Sequence, residues 1–216
     1  MPQVINLALW GPYMWPLLEA LTEMGLPSTE DHSGQDAGQP TTARPRFPCR
    51  SLHTFDHIPA TTFRTWSKSP IAQHFLGGLT HLRLENCQMS PFIPVEHLTN
   101  ITHIAVPGLH LYSQRVLYEM LDSILELETL QMLVVVLPPP PGENDDVSRV
   151  GSSIVEEYYS FQSVYFAFRT GNLTPAEWQD DIGMGAGSIW NSSIPLRKLA
   201  DGSLTVEQLV ANNWRA

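Results

Sequence analysis

His81 and His103 are the side chains whose placement comes nearest to chemistry. Each follows a threonine and opens an apolar-x-apolar run, in Leu79-Thr80-His81-Leu82-Arg83-Leu84 and Ile101-Thr102-His103-Ile104-Ala105-Val106. If the two runs are neighbouring strands, the imidazoles share a register and lie within reach of each other. A metal centre needs three or four ligands, and the candidates for a third are Cys87, His57 and Glu85. None stands at a standard ligand spacing, so two stacked surface imidazoles is the simpler reading. Asp180-Asp181 is a carboxylate pair, but adjacent side chains diverge, and a solvated helix end accounts for it. Gly183-x-Gly185-x-Gly187 lacks the G-x-G-x-x-G spacing and an incoming strand, and no G-x-S-x-G elbow is present. Cys49 and Cys87 are two thiols that could form one bridge, but they read as small core hydrophobes in a reduced compartment. No catalytic residue, metal or cofactor is expected.

Composition narrows the partners. The chain has 216 residues, 43% of them hydrophobic, enough for one domain or one short solenoid with a sizeable core. Its formal charge is −10, with only 12 basic residues spread along it, which argues against nucleic acid. No stretch approaches the roughly 18–20 apolar residues that span a bilayer. The start lacks a positive n-region, so an intracellular, cytoplasmic or nuclear location is expected. The two glycosylation-type triplets at Asn172 and Asn191 then stay idle. The acidic cluster of Glu143, Asp145, Asp146, Glu156 and Glu157 reads as a solvated surface that biases the chain toward basic partners.

The elements that must position the histidines follow from periodicity. Strands are expected near residues 4–9, 52–57, 79–84, 101–106, 130–137 and 161–168, and helices over 13–24, 112–127, 153–159 and 204–214. One or two short helices are expected within 60–75, the second opening at Ser69-Pro70. Thr174-Pro175-Ala176-Glu177 is a helix start with a capping box. Residues 28–45 are polar and aperiodic and read as a disordered insertion. Pro138 to Pro141 end a strand before a polar turn.

The strands share an L-x-x-L-x-L phrase, clearest at 79–87, where Cys87 completes L-x-x-L-x-L-x-x-C. Aligned on the second apolar position, Leu7, Phe55, Leu82, Ile104, Leu133 and Val164 are separated by 48, 27, 22, 29 and 31 residues. Leucine-rich repeats run at about 20–29 residues. The fold class is therefore α/β: an irregular leucine-rich-repeat-like solenoid of about six parallel strands with helical or irregular connectors. Residues 1–170 form the solenoid, and 171–216 form a helical tail packed on the last repeats. Trp178 and Trp190 read as anchors for that tail.

In such a solenoid the leucines face the core and the residues between them face the concave surface. That surface is read as Asp56, His81, Arg83, Glu85, His103, Met132, Val134 and Tyr165, polar in the middle and apolar toward Met132, Val134 and Val136. The apolar end is covered either by the folded-back tail or by a partner.

CRSLHTF (49–55), FLGGLTHLRLENC (75–87), HLTNITHIAV (97–106), LELETLQMLVVVLP (125–138) and WQDDIGMGAGSIW (178–190) together resemble the C-terminal, leucine-rich-repeat-like half of basidiomycete fungal F-box and F-box-like proteins. The resemblance covers most of the chain outside residues 28–45. It implies repeats that present a protein substrate to a cullin-type ubiquitin ligase. No F-box-like helical segment precedes the first strand, which puts adaptor binding in doubt. The function expected is a non-enzymatic recognition scaffold with a protein substrate on its concave face. The alternatives are a truncated or vestigial repeat protein without a partner and, remotely, a metal-dependent enzyme.

Overall fold

The computed structural model describes residues 6–9, 16, 20, 49–54, 60–84, 93–108, 114–137, 146–169, 174–185, 187–202, 205 and 208. In chain order these give β1 (Asn6–Leu9), β2 (Ser51–Thr54), α1 (Ala60–Ser67), α2 (Pro70–Gly78), β3 (His81–Leu84) and a 3₁₀ turn (Val95–His97). There follow β4 (His103–Pro107), α3 (Gln114–Leu125), β5 (Met132–Leu137), α4 (Asp146–Tyr158) and β6 (Val164–Phe168). The chain then forms α5 (Pro175–Gly183), α6 (Ile189–Ser192), β7 (Ile194–Pro195) and α7 (Arg197–Ala200). All seven strands form one open sheet in sequence order; β1 to β6 are parallel and β7 joins β6 antiparallel. The fold is mixed α/β, with helices interleaved between strands of a largely parallel sheet.

The same clip starts three successive strands. Arg50 O accepts the amides of Thr80 and His81, Thr80 O those of Thr102 and His103, and Thr102 O those of Gln131 and Met132. Each strand is thus hung on the carbonyl before its predecessor, which fixes the register. Leu7, Leu52, Leu82, Ile104, Leu133 and Val164 form one row across the sheet. The strand-2 alignment is corrected here: Leu52, not Phe55, stands beside Leu82. The residue between the apolar positions is therefore His53 in place of Asp56. The intervals become 45 and 30 residues, from Leu7 to Leu52 and from Leu52 to Leu82.

One face of the sheet packs on the helices. Leu82, Ile104, Leu133, Val106, Val135 and Phe166 are buried there with Phe75 and Leu76 of α2, Leu121 and Ile124 of α3, and Ile154 and Tyr158 of α4. Ser69 caps α2, accepting from the Ala72 amide at 3.1 Å, and Pro70 follows at the first position. The helix expected from residue 153 begins at Asp146 instead. Gly151 and three serines weaken its propensity, and burial of Ile154 and Tyr158 overrides that.

Residues 174–185 and 187–192 cross the opposite face as a strap; β7 then joins the edge of the sheet, and Leu196 and Leu199 return to the core on the helical side. The expected capping box closes α5: the Glu177 amide donates to Thr174 Oγ1 and the Thr174 amide to Glu177 Oε2. Thr205 and Gln208 make the same reciprocal pair, where the last helix was expected. Parallel sheets are normally covered on both faces, and here the strap supplies the second cover. Among the described residues no helix is long and apolar enough to cross a membrane. Most of 13–24, all of 28–45 and most of 204–214 lie outside the described residues.

Candidate functional site

The sheet face beneath the strap carries two adjoining groups of polar side chains. The first is ionic. Arg83 of β3 and Asp181 of α5, 98 positions apart in sequence, form an ion pair whose side chains are 1% and 0% exposed. The other Asp181 oxygen, Oδ1, accepts the Ile189 amide at 2.7 Å, so the same carboxylate also holds the start of α6. His53, Arg83's neighbour on β2, shares a hydrogen bond of 2.7 Å with Ser51 through Nε2, and its Nδ1 lies 3.8 Å from Asp181 Oδ2. Burial, then the Arg83 charge, then His81 lower the His53 pKa to about 3. The nearby carboxylate does not reverse this, because Arg83 holds it. Ser51, His53 and Asp181 therefore line up like a hydroxyl, a base and an orienting acid. The last gap is too long for a hydrogen bond, and all three side chains are buried. Their present chemistry is to seat the strap on β2 and β3.

The second group is the histidine pair. His81 and His103 are in direct register and stack with ring centroids 4.4 Å apart and planes 12° apart. Thr80 Oγ1 meets His81 Nδ1 at 2.9 Å, and Thr102 Oγ1 meets His103 Nδ1 at 2.8 Å. Burial first, and His103 second, lower the His81 pKa to about 4; burial lowers that of His103. The Trp190 centroid lies 5.5 Å from each ring, nearly perpendicular to both, so the indole sits level with the gap between them. Trp190 also joins Ile189, Ala105, Met132, Val134 and Ala167 in a small apolar cluster, with Val136 and Tyr165 at its margin. Arg169, just after β6, ties the strap's other end by donating to Gly187 O at 2.6 Å and to Ser192 Oγ at 3.1 Å.

Of the eight residues read as the concave face, His81, His103 and Tyr165 are half-buried, while Arg83, Met132 and Val134 are buried under the strap. Asp56 and Glu85 lie outside the described residues, as do Cys87 and His57. The apolar end of the sheet is covered by the chain's own α6. Asp181 is no solvated helix end, and it and His53 are the two residues that sequence reasoning passed over. A signal existed for the first: Asp181 falls three positions after Trp178, on that tryptophan's side of the helix. Cys49 is a free, buried thiol that burial pushes up to about 11. Among the described residues no three His, Cys, Asp or Glu side chains gather as metal ligands. The chain matches no family model, no curated protein and no solved structure.

Proposed function

We propose that the chain is a non-enzymatic protein-recognition scaffold of leucine-rich-repeat-like build, resembling the substrate-binding half of an F-box-like ubiquitin-ligase subunit. The observation that carries this reading is the carbonyl clip repeated at Arg50, Thr80 and Thr102. It stacks successive strand units in one register, which is how solenoids extend a continuous surface from units that are unstable alone. The binding surface is the rim where the strap meets the strands, with His81, His103 and Tyr165 half-buried along it. Arg83, Met132 and Val134 serve that surface from beneath by holding the strap.

The test is site-specific photo-crosslinking in cells. Benzoylphenylalanine replaces Tyr165 at the rim or Arg115 on the exposed, helical side. One discrete protein captured from position 165 and not from 115 supports the scaffold. Equal capture from both positions, or none from 165, overturns it. Mixing the purified chain with a cullin adaptor examines the ligase arm separately: a stable complex supports ligase membership.

A further inference from the structure

His81 and His103 meet the strap in an arrangement that has no place for a second proton. A protonated imidazole donates from both ring nitrogens. In each ring Nδ1 lies against a threonine oxygen, Thr80 Oγ1 at 2.9 Å and Thr102 Oγ1 at 2.8 Å. The other nitrogen of His81, Nε2, is buried and has no hydrogen-bond partner among the described residues. Trp190 lies beside both rings, and its indole N–H donates without accepting. A charge on either ring also faces its neighbour across the 4.4 Å stack. The strap's carboxylates are engaged elsewhere. Asp181 is held by Arg83 of β3 and by the Ile189 amide, and Glu177 caps α5 and faces Arg169. Asp180 packs against Gly185 and Gly187. His53 of β2 lies 3.8 Å from Asp181 and feels the Arg83 charge and His81, so it brings no anion.

Trp190 stands on the strap, so the rings that exclude a proton are the rings the strap presses on. With the strap lifted both face water, where an imidazole titrates at about 6.5 and each N–H finds an acceptor. We propose that the strap is an acid-released cover: proton uptake by His81 and His103 undocks Trp190 and bares the sheet face beneath it. The lowered pKa of His81, from burial first and His103 second, and that of His103, from burial, accord with the geometry. The open strap binds more protons than the closed one, so acid favours opening. Below about pH 6.5 the opening equilibrium rises about tenfold per pH unit for one proton taken up and about 100-fold for two. Exposed carboxylates titrate near about 4 and stay ionised between pH 6 and pH 5. The device does not depend on which molecule the rim binds.

Hydrogen exchange of the full chain at pH 7, 6 and 5, corrected for the intrinsic rate, reads opening of α5 and α6 separately from β3 to β5. Between pH 6 and pH 5 the protection of α5 and α6 should fall by about tenfold or more. The strap should also be less protected than β3 to β5 at every pH, because it opens without the sheet. Equal protection of strap and sheet, or a fall in the strap below about threefold, would overturn the proposal. Long-range ¹H–¹⁵N correlation of the imidazoles follows the same protons in the unaltered chain. Either ring titrating at about 6.5 while α5 and α6 keep their protection would show that the closed strap admits the proton, and would overturn it. The pair His81→Gln and His103→Gln, made together, removes both titrating groups and leaves His53 in place. It should shrink the fall in strap protection between pH 6 and pH 5 by about tenfold. An unchanged fall would assign the release to other groups and overturn the role of the stack.

Discussion

Asp181 gathers three of the strap's polar contacts: the Arg83 guanidinium, the Ile189 amide and the near edge of His53 meet at one carboxylate. Replacing it by Asn removes the buried carboxylate that pairs with the Arg83 guanidinium, so Asp181→Asn should cost about 3–5 kcal/mol in urea unfolding. A loss under about 1 kcal/mol would mean that other groups neutralise Arg83. His53 gives a second expectation, of opposite chemical character. Its folded pKa of about 3 lies below the unfolded value of 6.5. Between these values the unfolded chain binds a proton that the folded chain does not, so stability falls as pH drops from about 6.5. By linkage the loss from His53 reaches up to about 2 kcal/mol at pH 5. His81 and His103 act in the same direction. In His53→Gln the difference in unfolding free energy between pH 7 and pH 5 should shrink by about that amount; an unchanged difference would show that His53 is protonated in the fold. The histidine stack was legible because a repeated Thr-His places both rings in one register. The ion pair was not, because nothing local tells residue 181 that residue 83 lies beneath it.

At the scale of elements, near-neighbour signals found the six parallel strands, the start of α2 at Ser69-Pro70 and the capping box of α5. They failed where two phases compete. Leu52 and Phe55 both continue a leucine-like pattern, and only pairing with β3 selects Leu52, bringing His53 rather than Asp56 onto the strap side. Helix starts were similarly ambiguous where weak formers such as Gly151 occupy positions that burial makes helical. The best-read element is β3, with Leu79 and Leu82 fully buried and Leu84 nearly so. Leu82 sits mid-row between Leu52 and Ile104, so truncation opens a cavity flanked by strands that the carbonyl clips hold in place. Leu82→Ala should therefore cost about 2–5 kcal/mol, read by thermal or chemical denaturation. A near-neutral result would contradict the register of the whole row.

For the whole molecule, the question is whether helices, sheet and strap unfold together. The sheet is held by five parallel pairings and a continuous apolar core on its helical side. The strap depends on fewer contacts: the Asp181 ion pair, the small cluster around Trp190, the Arg169 bonds and the two-residue pairing of β7. Trp190 is also the strap's largest buried side chain, and its loss should cost roughly 3–5 kcal/mol locally. Proteins open in cooperative units whose stability tracks the apolar contacts each unit makes. In Trp190→Ala, amides of α5 and α6 should therefore exchange faster while those of β3 to β5 keep their protection. The uncovered side chains of Ala105, Met132 and Val134 should then bind a hydrophobic dye. Loss of protection across β3 to β5 as well would mean that the strap is integral to the sheet and that the second face cannot be bared without unfolding. Selective exchange would instead divide the chain into a self-supporting repeat sheet and a separable cover. Partner access to the concave row would then depend on the strap's opening free energy.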